Sequence, residues 1–190
     1  DVDQDVARGL RARLGDKLFV HRYDHEHEHS IELQIPWIQH AFGADEHGKF
    51  PHVFGALIHD PSVNSGESYD GQGVGLQAFC DALREVIAGL PGRTLVVSSA
   101  DLSHAGPAFG DQQTLAGDEG PALEARTKVF NHDREMLELL VQKKPAELIA
   151  AMAWMQNPTR WCSLGNLAAA MMVTQPENVR LLNYSAAMDE

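Results

Sequence analysis

Three features of this sequence predict an α/β domain with a mainly parallel or mixed sheet flanked by helices. Apolar runs of strand length at residues 53–58 and 94–99 have the character of strands buried on both faces. Stripes of apolar residues at helical spacing separate them, clearest at Leu76, Phe79, Leu83, Val86, Ile87 and Leu90. A chain of 190 residues is long enough to bury a real core around such a sheet. No internal repeat or low-complexity tract interrupts it, so a single domain over residues 1–190 is the simplest organisation.

Each element follows from local pattern. Residues 3–14 read as a helix and residues 17–21 as a short strand. From Ser30 to Phe42 the apolar positions Ile31, Ile35, Ile38 and Phe42 recur at helical spacing, with Ser30 as the N-cap. Pro36 lies inside that run and predicts a late start or a kink. After the 53–58 strand, residues 64–75 form a loop rich in glycine and serine, and the stripe from Leu76 closes at Leu90-Pro91-Gly92. The 94–99 strand leads into a glycine-rich loop over residues 105–120. Helices follow at 123–141, at 145–153 with Pro145 in the first turn, and at 163–173. Residues 178–185 read as a last strand.

Composition narrows the function. A formal net charge of −12 excludes nucleic acid and anionic membrane as main partners. It suits small molecules, metals or peptides, and a homo-oligomer is compatible with it. No apolar run approaches the length of a membrane span, and no signal peptide is visible. Two distant cysteines, Cys80 and Cys162, make no disulfide framework, so a reducing cytoplasm is the expected location.

Chemistry concentrates at three places. Residues 23–32 hold three histidines and four carboxylates before the chain turns apolar at Leu33. Within them His25-Glu26-His27-Glu28-His29 satisfies the H-E-x-x-H pattern of zinc peptidases, which needs both histidines on one face of a helix. Tyr23-Asp24 gives no helical context, so the peptidase stands as the third reading. The better one puts His29 in a pocket at a strand-to-helix junction, with His25 and His27 solvated. The second place is Ser98-Ser99-Ala100-Asp101-Leu102-Ser103-His104, directly after the 94–99 strand. Ligands of parallel α/β sheets bind beyond the carboxyl ends of the strands. His104, with Asp101 three residues before it, is therefore a candidate general base. Otherwise Asp101 caps a turn and His104 is a surface loop residue. The third is Cys162, which follows Arg160-Trp161 and immediately precedes a helix. Arg160 and the helix N-terminus favour a thiolate there, a soft metal ligand or redox centre. The alternative is an inert buried thiol, the reading adopted for Cys80.

The residues Glu28-His29-Ser30-Ile31-Glu32-Leu33-Gln34-Ile35-Pro36 resemble the "EHSIE…LP" signature of the MEMO family, which includes the AmmeMemoRadiSam system protein B of bacteria. Residues 53–57 resemble the family's strand before its variable helix, and residues 96–106 its "VVSSD…H.G" segment with one extra residue near Ala100. Cys162 stands where the family has its "ICG" cysteine, and Leu182-Asn183-Tyr184-Ser185 resembles its "LNY" strand. The resemblance implies a fold like that of the class III extradiol (LigB-like) dioxygenases, which hold iron with two histidines and a glutamate. In MEMO proteins a cysteine replaces that glutamate, and copper or iron binding with redox activity is associated with the family. By position, Cys162 resembles the cysteine ligand, His104 the pocket histidine and His29 a second histidine near the metal. The family's "PHAGY" and "SHH" histidine segments are not in this sequence, so the chain is expected to begin about a third of the way into a family member. A serine follows Cys162 where relatives more often have glycine. The expectation is thus a metal-binding redox protein using copper or iron in preference to zinc, with a small-molecule or peptide substrate. A non-catalytic binding or adaptor protein on the same fold is the alternative.

Overall fold

The computed structural model describes residues 2–187. Six α-helices dominate them: α1 (Gln4–Leu14), α2 (Gln34–Phe42), α3 (Leu76–Ala88), α4 (Gly120–Val141), α5 (Pro145–Met155) and α6 (Leu164–Thr174). Each falls where the periodicity predicted a helix. Asp3 starts α1 by accepting the Asp5 and Val6 amides on its carboxylate at 3.0 and 3.1 Å, satisfying two otherwise orphaned donors. Pro121 and Pro145 sit in the first turns of α4 and α5, where a missing N–H costs nothing. The start of α2 is as late as Pro36 demanded: it begins at Gln34, and residues 30–33 form a turn. Ser30 is not its cap. Instead the Glu28 carboxylate accepts the His29 and Ser30 amides at 2.8 and 2.7 Å. The Ser30 amide is the main cause holding the Glu28 carboxyl below its ordinary value.

The predicted mainly parallel or mixed sheet does not form. Among the described residues the one β-bridge is Val2 with Val53, and residues 17–21 lie in a 3-10 turn (Gly15–Phe19) and the bend after it. Residues 53–58 and 94–99, predicted as buried strands, are irregular segments that make no ladder. Their side chains still alternate. Phe54, Ala56, Ile58 and Val96 pack on the core, while Leu95 and Val97 face outward, 65% and 54% exposed. The segment at 178–185 is likewise unpaired, with Leu181 and Leu182 exposed. The physical reason is that a period of two specifies extended backbone and one buried face. Hydrogen-bonded pairing depends on a neighbour that a single run does not encode.

Core packing follows a chain of helix contacts, α1 on α3, α3 on α6, α6 on α5 and α5 on α4. Val6 and Leu10 of α1, Phe79 and Val86 of α3, and Ala168 and Val173 of α6 fill one cluster. Met136, Leu148, Met152, Trp161 and Leu164 fill the other. Helix α6 serves both, so its N-terminus, directly after Cys162, is anchored on two sides. No helix of the described residues is long and apolar enough to cross a membrane.

Candidate functional site

Two irregular segments meet at the N-terminus of α6, residues 98–104 and the loop 157–163. The loop makes a tight reversal, with left-handed backbone at Asn157 (φ 46°) and Arg160 (φ 57°). Such conformations cost free energy for non-glycine residues and persist when side chains over-determine them. They are over-determined here. The Asn157 side chain accepts the Trp161 amide at 2.8 Å and donates to the Trp161 carbonyl at 3.0 Å. Arg160 donates from Nε to the His104 carbonyl at 2.8 Å and from Nη2 to the Asp111 carboxylate at 2.6 Å. That guanidinium is the leading cause that holds the Asp111 carboxyl below its ordinary value, with the Gly106 amide second. Further bonds tie the segments together: the His104 amide to the Thr159 carbonyl at 2.7 Å, and the Asn166 side-chain amide to the Ser99 carbonyl at 3.1 Å.

Three of the four residues singled out from the sequence come together at Asp101. The Cys162 thiol lies 3.5 Å from the Asp101 carbonyl oxygen, and His104 Nε2 lies 3.6 Å from the Asp101 carboxylate. Nδ1 of His104 sits 3.0 Å from the Arg160 carbonyl. A carbonyl only accepts, so Nδ1 carries a proton and Nε2 faces the carboxylate. The edge of Phe109 packs against this ring at 4.9 Å. Cys162 is exposed, and Cys80 is fully buried with its thiol pushed up to about 11 by burial. His29 stands apart. Its exposed ring is 3.9 Å from Glu28 and makes no hydrogen bond to His104 or Cys162 among the described residues. Only its neighbour touches the junction, where the Ser30 carbonyl accepts the Ser99 hydroxyl at 3.4 Å.

The H-E-x-x-H stretch has no metal-binding geometry: residues 22–26 form a 3-10 helix and His27 a turn, so His25 and His29 share no α-helical face. Two cavities open elsewhere and include none of the candidate residues. One of about 250 Å³ is lined by Ile31, Ile35, Ile38, Phe50 and Val53, the other of about 430 Å³ by Gln77, Arg84, Lys143, Met171 and Met172. The chemistry is concentrated at the junction, not in these recesses.

Among the described residues no group of three or more His, Cys, Asp or Glu side chains is placed to hold a metal ion. The donors therefore do not fit a closed three- or four-residue protein cage. Of the donors at the junction, the Cys162 thiol is the soft one and the His104 imidazole the borderline one. Three buried hydroxyls of the same two segments, Ser98 Oγ, Thr159 Oγ1 and Ser163 Oγ, have no hydrogen-bond partner among the described residues. Buried groups of that kind are costly unless an occupant or water satisfies them.

A family model described as Memo-like protein matches residues 1–190. The chain belongs to the Memo-like family. It is 33% identical over 192 residues to a MEMO1 family protein of Caldivirga maquilingensis, covering 100% of this chain and 55% of that protein. This Memo-like chain thus spans about half the length of that curated relative. No solved structure matches it significantly.

What sequence reasoning missed at the Memo-like site is its framework. Arg160 was read as a charge beside the thiol, yet it is the clamp between the two segments. Asp111 and Asp133 went unremarked. For Asp133 a signal existed, since an acidic residue at i−3 and i−7 from Met136 and Leu140 lies in the core register of α4.

Proposed function

We propose that this Memo-like chain is a metal-dependent redox protein whose ion is held at the Asp101 junction, with Cys162 Sγ and His104 Nε2 as the protein's donors. The observation that carries this reading is that the Cys162 thiol and the His104 imidazole, 58 positions apart in the chain, both approach Asp101, the first at its carbonyl (3.5 Å) and the second at its carboxylate (3.6 Å). The softness of a thiolate favours copper over harder ions, with iron next and zinc last. A bound copper ion would supply one-electron redox chemistry. The chain's own residues do the rest. The Arg160 carbonyl fixes the His104 tautomer and leaves Nε2 available on the open side. The Asp101 carboxylate is exposed and 3.6 Å from Nε2, and because Nε2 would give its lone pair to the ion, Asp101 would exchange its proton with substrate or water on the open side. His29, exposed and outside contact with this junction, has no part in this reading.

The test is metal analysis of the protein loaded with copper and desalted. Stoichiometric copper in the wild type, lost in both Cys162→Ala and His104→Ala with the helical content unchanged, supports the reading. That no third protein donor joins Cys162 and His104 among the described residues favours a second reading, a non-catalytic binding or adaptor protein on the same fold. Metal-free wild-type protein with an intact fold would overturn the first and favour the second.

A further inference from the structure

Beneath the junction lies a carboxylate that the proposed chemistry does not use. Asp133, on the inner face of α4, is 1% exposed. Its Oδ1 accepts the Ser103 hydroxyl and the Trp161 indole N–H, the latter at 2.7 Å, and its Oδ2 accepts the Tyr184 hydroxyl at 2.7 Å. Trp161 Nε1 also lies 3.1 Å from Ser103 Oγ, which closes a triangle of polar atoms around Oδ1. No Lys, Arg or His forms an ion pair with this carboxylate among the described residues.

We propose that Asp133 is the positioning residue of the site: by binding Ser103 and Trp161 on one oxygen, it sets His104 and Cys162 at their working separation. Ser103 immediately precedes His104, and Trp161 immediately precedes Cys162. Each candidate donor is therefore one peptide link from a side chain held by the same atom. Among the described residues no other side chain accepts hydrogen bonds from both Ser103 and Trp161. The Arg160 bonds to the His104 carbonyl and Asp111 are exposed, whereas the Asp133 bonds are buried or half-buried. A buried hydrogen bond to a charged acceptor is shorter, stronger and less easily exchanged for water.

A carboxylate does here what an apolar residue cannot. A buried charge without a counter-ion is a poor way to gain stability, and a hydrocarbon side chain of similar volume serves a core better. The two acceptor oxygens instead fix direction, because three donors must point at them. Tyr184 is the third donor and tethers the C-terminal segment, not the site. Burial and its bond to Asp133 push its hydroxyl well above the ordinary tyrosine value, so it remains a donor. The carboxylate thus has two functional bonds and one structural bond, and these can be cut separately.

The proposal rests on the reading that His104 and Cys162 act together, and its test separates the two. Variants Asp133→Ala, Asp133→Asn, Trp161→Phe and Tyr184→Phe are compared in three readouts: melting temperature, copper affinity by competition, and the rate of Cys162 alkylation by iodoacetamide at neutral pH. Cys80 does not interfere, being buried with its thiol at about 11. Loss of an outer partner typically changes metal affinity about tenfold to a hundredfold, and that is the change expected for Asp133→Ala and Trp161→Phe, with a parallel shift in alkylation rate. Asp133→Asn should recover most of the loss. Its amide oxygen can still accept Ser103 and Trp161, and its NH₂ can donate to the Tyr184 hydroxyl. Tyr184→Phe should lower the melting temperature while leaving copper affinity and alkylation within about twofold of wild type.

Wild-type copper affinity and alkylation in Asp133→Ala would overturn the positioning role. So would shifts in Tyr184→Phe as large as those in Trp161→Phe, because the effect would then follow stability alone. An Asp133→Asn variant no better than alanine would also overturn it, by assigning the effect to charge. If Asp133→Ala fails to fold, Trp161→Phe against Tyr184→Phe carries the decision. Should the wild type take up no copper, the proposed function fails, while alkylation still reads the positioning of Cys162.

Discussion

Replacing Gly165 by alanine tests how firmly the N-terminus of α6 is seated. A Cβ built at Gly165 would lie 2.2 Å from the His59 carbonyl oxygen, 2.9 Å from Ile58 Cγ2 and 3.2 Å from the His59 carbonyl carbon. Two of those atoms belong to the backbone, so no rotamer change relieves the clash. Either residues 58–59 or the first turn of α6 must move by about an ångström, the distance between 2.2 Å and ordinary contact. Neither is free to do so. Ile58 packs on the first core cluster, Leu164 is fully buried in the second, and the His59 ring is 3.1 Å from the Gly66 carbonyl. Overpacking of this kind costs about 1–3 kcal/mol, and a backbone clash belongs at the upper end. Against it stands about 1 kcal/mol of gain, since alanine is the better helix former and narrows the unfolded ensemble. The net loss is about 2 kcal/mol. For a chain of this size that lowers the melting temperature by roughly 4–8 °C. Urea unfolding followed by circular dichroism measures the loss directly, and Gly89→Ala is the control. A Cβ at Gly89 meets nothing closer than a backbone oxygen of its own helix at 3.6 Å. If Gly165→Ala proves as stable as wild type with an unchanged denaturant slope, the close approach of α6 to residues 58–59 is wrong. The placement of Cys162 and Asn166 would fall with it.

Three more outcomes follow. Because Asp111 has its pKa depressed by Arg160, the stability it contributes is fully present above its ordinary value of 3.8 and is lost as pH falls through the lower folded value. Wild type should therefore exceed Asp111→Asn by a constant margin at neutral pH, and the margin should vanish only below about pH 4 in urea titrations. In native protein iodoacetamide should modify one thiol, Cys162, and in 6–8 M urea both; mass spectrometry reads the count, and native modification of Cys80 would contradict its burial. Asp3→Ala removes both side-chain bonds that start α1 and should cost about 1 kcal/mol, measured by urea midpoint at constant slope.

Helices were legible because their signal is local. The stripes in α3 and the prolines opening α4 and α5 name a structure that each segment can build from its own hydrogen bonds. The sheet was misread because its signal is shared. Residues 53–58 and 94–99 hold one face to the core as strands do, yet a ladder needs a second backbone at the right distance. Composition says nothing of where that backbone lies. A residue such as Val96 therefore reveals its inward direction and conceals its partner.

The site divides along the same line. The candidates Asp101, His104 and Cys162, which the structure brings close together, stand out by residue type and by their position beside predicted elements, both of which a sequence carries. The pairs Arg160 with Asp111, and Asp133 with Trp161, were not, because each joins residues 28 or more positions apart. Asp133 marks where the boundary between legible and hidden could be moved. An acidic residue in the apolar register of a long helix contradicts the pattern around it, and a buried carboxylate must find donors. The contradiction is visible in the sequence. What answers it, a serine before one candidate donor and a tryptophan before the other, is supplied only by the fold.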